Sequence, residues 1–158
     1  MKKLFSLMMT ILLASQLFSQ NPQLGSYEKV PENEKFVGVW KTVDSKLNIK
    51  LIMTNSKERV IDENYYMDQI IGDIIITKSN GSIVTLKKVI YNGIAQQYNL
   101  RAIFNDPKSL SGRAVIGFPD PKNLDELTVT IIPTQNMFPK TARMSLSVPR
   151  NFKLIRVK

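Results

Sequence analysis

Residues 36–46 read Phe-Val-Gly-Val-Trp-Lys-Thr-Val-Asp-Ser-Lys. The β-branched and aromatic residues of 36–43, followed by a polar turn at Asp44-Ser45-Lys46, predict a strand. Gly38 and Trp40 have the same parity and face one side of it. A glycine beside the only tryptophan lets another group approach the indole closely. Near the other end Phe152, Leu154 and Arg156 also share a parity. An arginine on an apolar inward face is costly unless it is paired or stacked, and an indole face offers it a seat. The first and last strands are therefore expected side by side, with Arg156 over Trp40, as the closing seam of a barrel.

The rest of the chain agrees with a β fold. Residues 20–158 hold 16 Ile and 11 Val but only 4 Ala, which suits pleated, half-buried surfaces and disfavours a helical bundle. Short apolar runs separated by turn signals continue to the C-terminus. Leu47, Ile49, Leu51 and Met53 share one face, and Gly72 marks a bulge between strand-like runs 65–71 and 73–78. Asn80-Gly81 predicts a hairpin, and Asn92-Gly93 is expected to end the next run in the same way. Residues 106–112 have room for one helical turn. Leu127, Val129 and Ile131 alternate with Thr128 and Thr130, and Met144, Leu146 and Val148 alternate with Ser145 and Ser147. Residues 55–68 stay open between a hairpin and a helix, because Asn55-Ser56-Lys57-Glu58 resembles a capping box. The expectation is an all-β, antiparallel up-and-down barrel of about 8–10 strands, with a β-sandwich as the alternative. Leu51, Met53, Tyr65, Val129, Met144 and Leu146 are candidates to line it.

The first residues look like an export signal. Lys2 and Lys3 precede an uncharged apolar stretch at 4–18 that is short for a membrane span and bounded by polar residues. Cleavage is expected after Ser19 or Gln20. The division is then a signal peptide at 1–19, a flexible lead-in at 20–34 and one β domain at 35–158. The exported product belongs in a periplasmic or extracellular setting, and without cysteine it is not a lipoprotein.

Composition excludes several chemistries. No Cys and no His means no disulfide, no thiolate metal site, no cysteine nucleophile and no histidine base. Asp120, Asn123, Asp125 and Glu126 match no calcium-loop spacing, and Asp62, Glu63 and Asp68 are acids such as any chain of this length contains, not a distinctive acid–base pair. No enzyme activity, cofactor or metal is expected. Charge is skewed: of the formal +9, six cations lie in residues 137–158, and no acid follows Glu126. An anionic envelope surface is a candidate partner; nucleic acid is not.

Gly38-x-Trp40 with a late arginine resembles the calycin superfamily of lipocalins and fatty-acid-binding proteins, and 36–46 is similar to the opening of cytosolic fatty-acid-binding proteins. In those proteins an Arg-x-Tyr on the last strand holds the ligand carboxylate; here Arg156-Val157-Lys158 supplies the arginine and lacks the tyrosine. Taken whole, the chain is more similar to small exported bacterial proteins of an uncharacterised, lipocalin-like family. The resemblance implies a non-catalytic barrel that binds a small apolar or amphiphilic ligand such as a lipid, with Gly38, Trp40 and Arg156 at ligand binding or barrel closure. The alternative is a solid β domain used for envelope or surface interaction. The oligomeric state is not legible in the sequence.

Overall fold

The computed structural model describes residues 23–43, 48–60, 62–106, 111–134 and 146–158. The export segment, the turn at 44–46, Leu47, the helical turn after Asp106 and Met144 lie outside the described residues. Nine strands are present: β1 (Tyr27–Glu28), β2 (Gly38–Thr42), β3 (Asn48–Val60), β4 (Tyr65–Thr77), β5 (Ile83–Gln96), β6 (Asn99–Asn105), β7 (Ser111–Gly117), β8 (Glu126–Pro133) and β9 (Asn151–Arg156). From β2 onward each strand pairs with its sequence neighbours, and β9 returns to pair with β2. The result is a closed eight-strand antiparallel up-and-down barrel with β1 as one extra strand, not a sandwich.

The chain forms two compact units. The smaller comprises residues up to Glu28 with Arg59–Met67, and the larger Lys29–Glu58 with Asp68–Lys158. In the smaller unit β1 pairs in parallel with the start of β4, Tyr27 opposite Tyr66. The larger unit holds the barrel core. Alternation fills it: β6 buries Leu100, Ala102 and Phe104 and exposes the residues between them, and β8 buries Leu127, Val129 and Ile131. Trp40, Phe36, Phe104, Ile49, Leu51 and Met53 are all less than 2% exposed. Among the described residues no helix is long and apolar enough to cross a membrane.

Several expected boundaries move. Residues 36–43 are not one strand. A 3-10 helix, Pro31–Lys35, ends on Phe36, whose N–H donates to Asn33 O at 2.9 Å, and β2 starts only at Gly38. The lead-in thus contains β1 and this helix, and it buries Val30 and Asn33. Residues 55–60 extend β3 instead of starting a helix. Within the strand Glu58 Oε1 accepts from Ser56 Oγ at 2.7 Å instead of capping a helix from Asn55.

Asn80-Gly81 does turn a hairpin, with Gly81 at φ +79° and Asn80 Oδ1 accepting from Ser82 N at 3.0 Å. Asn92-Gly93 does not. Asn92, at φ +53°, is absorbed as a bulge, and β5 runs on to a two-residue turn at 97–98 that brings Gln96 opposite Asn99. Residues 146–148 are also not a strand. Pro149 lacks a ladder donor, and the Ser147 amide donates to the Asp106 carboxylate at 2.6 Å instead of to a neighbouring strand. Val148 is nevertheless buried in the core, and Leu146 packs against it half-buried.

The β4–β5 contact is tight. A methyl group at Gly93 would stand 2.9 Å from both Cβ and O of Ile70, its partner across the strands. Gly93→Ala should therefore lower stability by about 1–3 kcal/mol, read as a lower urea midpoint at unchanged slope. An unaltered midpoint would show that these strands can separate without cost.

Candidate functional site

The sequence-predicted trio comes together. Trp40 and Arg156 are register partners across β2 and β9, and the Arg156 guanidinium carbon lies 4.2 Å from the centroid of the indole. Trp40 has no exposed surface, and its Nε1–H donates to Phe36 O at 2.9 Å. Burying an indole removes roughly 150–250 Å² from water, on the order of 4–6 kcal/mol before entropy is charged.

Arg156 is held by the chain that enters β2. Its Nη1 donates to Val37 O at 2.9 Å and its Nη2 to Lys35 O at 2.7 Å. The acceptors are the last residue of the 3-10 helix and the residue before β2, where no strand ladder would otherwise serve them. Its Nε stands 3.7 Å from Asp125 Oδ1. Gly38 lies beneath the guanidinium at φ +137°, and a Cβ there would stand 3.0 Å from Nη1. Only glycine fits both the backbone angle and the space. Phe118 completes the cluster, its ring 4.8 Å from that of Phe36 and edge-on to Trp40 at 6.2 Å.

A polar plug accompanies this cluster, and sequence reasoning missed it. Asn33 has no exposed surface. Its Nδ2 donates to Asn55 Oδ1 at 3.1 Å and to Asp68 O at 3.2 Å, and its Oδ1 accepts from Ala95 N at 3.0 Å. One side chain thus links β3, β4 and β5. Asp68, 4% exposed, accepts from Val30 N at 3.3 Å, so this acid anchors the entering chain. Asn33 sits in the polar run Pro-Glu-Asn-Glu-Lys, where no periodicity marks one residue as inward.

The other expected lining residues divide. Leu51, Met53 and Val129 are buried in the barrel core. Tyr65 belongs to the smaller unit, where its hydroxyl donates to the Met67 sulfur at 3.9 Å. Its burial, aided by Glu63 and Glu28, raises its phenol above the ordinary 10.0. The acids at 120–126 serve the turn and the strand ends. Asp120 accepts from Lys122 N, Asp125 faces Arg156 and Lys158, and Glu126 faces Lys153. Among the described residues no group of three or more acids could hold a metal ion.

Fold and cluster together define an up-and-down β-barrel with one end closed by a stacked Trp–Arg pair. By sequence the chain belongs to DUF6705, a family of unknown function whose model matches residues 1–113. No curated protein and no solved structure matches the chain.

Arg156→Ala removes the cation over the indole and leaves two carbonyls without their donor. It should redden Trp40 emission and cost about 2–3 kcal/mol, whereas Lys158→Ala at an exposed pair should cost under about 0.5 kcal/mol. Fluorescence-monitored urea melts of both variants check this. Equal midpoints for the two would refute the stacked contact.

Proposed function

We propose that the chain is a lipocalin-like, non-catalytic binding protein that is exported and takes up the apolar part of a small lipid or similar amphiphile. The observation that carries this reading is the asymmetry of the two barrel ends. The Trp40–Arg156 cluster and Asn33 close one. At the other, where β4 meets β5 and β8 connects to β9, Ile76 and Val84 face inward opposite each other yet are only half-buried. Leu146 in the β8–β9 connection is half-buried as well. Inward apolar side chains left wet at a barrel mouth favour an apolar guest.

Arg156 is a closing group in this reading, not a carboxylate receptor, because two backbone carbonyls already take its Nη atoms. The buried acids Asp68 and Asp106 likewise bind backbone amides, which suits anchoring better than proton transfer. Export is supported by the residues of 1–19 alone.

One observation favours the second reading, a solid β domain for envelope or surface contact. The middle of the barrel is filled by fully buried Phe104, Leu100, Ile90, Ile116, Leu127 and Ile49. A guest would therefore sit at the mouth and not deep inside.

Native mass spectrometry of the protein purified from its own host separates the two. A co-purifying lipid mass that Val84→Asp abolishes is expected from the binding reading. The bare chain mass alone, unchanged after incubation with host lipid extract, would replace it with the solid domain.

A further inference from the structure

The cations that dominate the C-terminal sequence are partly answered in the fold. Lys153 Nζ stands 3.5 Å from Glu126, while Lys158 Nζ and Arg156 Nε stand 3.0 and 3.7 Å from Asp125. Two further cations lie close together on the outer wall formed by β5 to β8. One row across this wall sets Arg113 between Ile103 and Ile132, and the next sets Arg101 between Ile94 and Val115. Arg101 and Arg113 therefore occupy diagonal positions on adjacent strands, about 7–8 Å apart and on the same face.

Among the described residues no carboxylate pairs with either guanidinium. Neither segment 107–110 nor segment 135–145 contains an acid to supply one. Asp106, at the end of β6, is 1% exposed and taken by Ser147. Two like charges side by side repel, and an anion bound between them would offset that repulsion. Between them runs an open groove of about 650 Å³ lined by both arginines, Ile103, Ser111 and Thr134. Ile103, 38% exposed, and Ile132, 50% exposed, flank Arg113 in its row.

We propose that this wall docks on a bilayer surface carrying anionic lipid, with Arg101 and Arg113 holding headgroup phosphates and Ile103 and Ile132 dipping into the acyl boundary. Cations interleaved with exposed aliphatic side chains match the two layers of a lipid surface, charge outside and hydrocarbon beneath. An acidic peptide is the poorer fit, because the interior strands of a closed sheet offer no free edge to pair with an extended chain. Arg101 and Arg113 stand on the outer face, whereas Ile76 and Val84 face inward, so the proposal stands whether or not a guest is carried inside.

Sedimentation with vesicles tests it, using phosphatidylcholine alone and phosphatidylcholine mixed with phosphatidylglycerol. The protein should bind the anionic vesicles only, and more weakly as salt rises. Arg101→Gln with Arg113→Gln should reduce binding about 10- to 30-fold, and Ile103→Ser with Ile132→Ser should also weaken it. Lys153→Gln with Lys158→Gln should leave it within about twofold. Circular dichroism confirms that each variant is folded. Undiminished binding by the arginine variant, equal binding to both vesicles, or tighter capture by polyglutamate than by anionic vesicles would each overturn the proposal.

Discussion

The barrel depends on a single cation placed where an apolar interior meets the entering chain. Arg156 lies on the inward face of β9, where a charge is costly. Beside Asp125, whose carboxylate stands 3.7 Å from Nε, three partners offset that cost on the β2 side: the face of Trp40 and the carbonyls of Val37 and Lys35. These three come from the chain leading into or forming β2, so one side chain fixes how that chain enters and which strand it meets. The same geometry dictates Gly38, since any Cβ at that position would press on the guanidinium. Closing a sheet removes its edges, and here closure depends on this join between the two ends of the strand order.

That join makes the two ends of the barrel different in kind. Near Trp40 the interior is sealed by aromatic contacts and by Asn33, which bonds to three strands. At the opposite end Asp106 draws Ser147 inward through two hydrogen bonds, at 2.6 and 3.0 Å, so part of the β8–β9 connection folds over the core. Ile76 and Val84, paired across β4 and β5, remain half-buried. Binding at the mouth and a filled middle are compatible in one molecule, because the bulk sits below the mouth.

Much of this was legible in the sequence, for identifiable reasons. Alternation at Leu127, Val129 and Ile131, the Asn80-Gly81 turn and the parity shared by Trp40, Gly38 and Arg156 are local signals read from spacing. What escaped was decided by tertiary partners. Asn33 has no pattern to mark it as buried, and its three bonds reach residues 22 to 62 positions away. Asn92-Gly93 carries the same chemistry as a hairpin turn, but the register with β6 resolves it as a bulge. Alternation at 146–148 suggested a strand, yet the buried carboxylate of Asp106 claims the amide a ladder would have used. The uncompensated arginines are a clear case of the same kind. Composition placed the positive charge at the C-terminus, and only the fold shows Asp125 and Glu126 standing beside Lys153, Arg156 and Lys158 while Arg101 and Arg113 face solvent together.

Native-state hydrogen exchange, resolved by residue, tests the role of the seam most directly. The paired amides of Lys41 and Ile155 should open only with the whole barrel, at the same free energy as Ala102 and Ala114 on β6 and β7. Exchange of the seam amides through a local opening, with Ala102 and Ala114 still protected, would contradict it: the barrel would then hold without its closing pair.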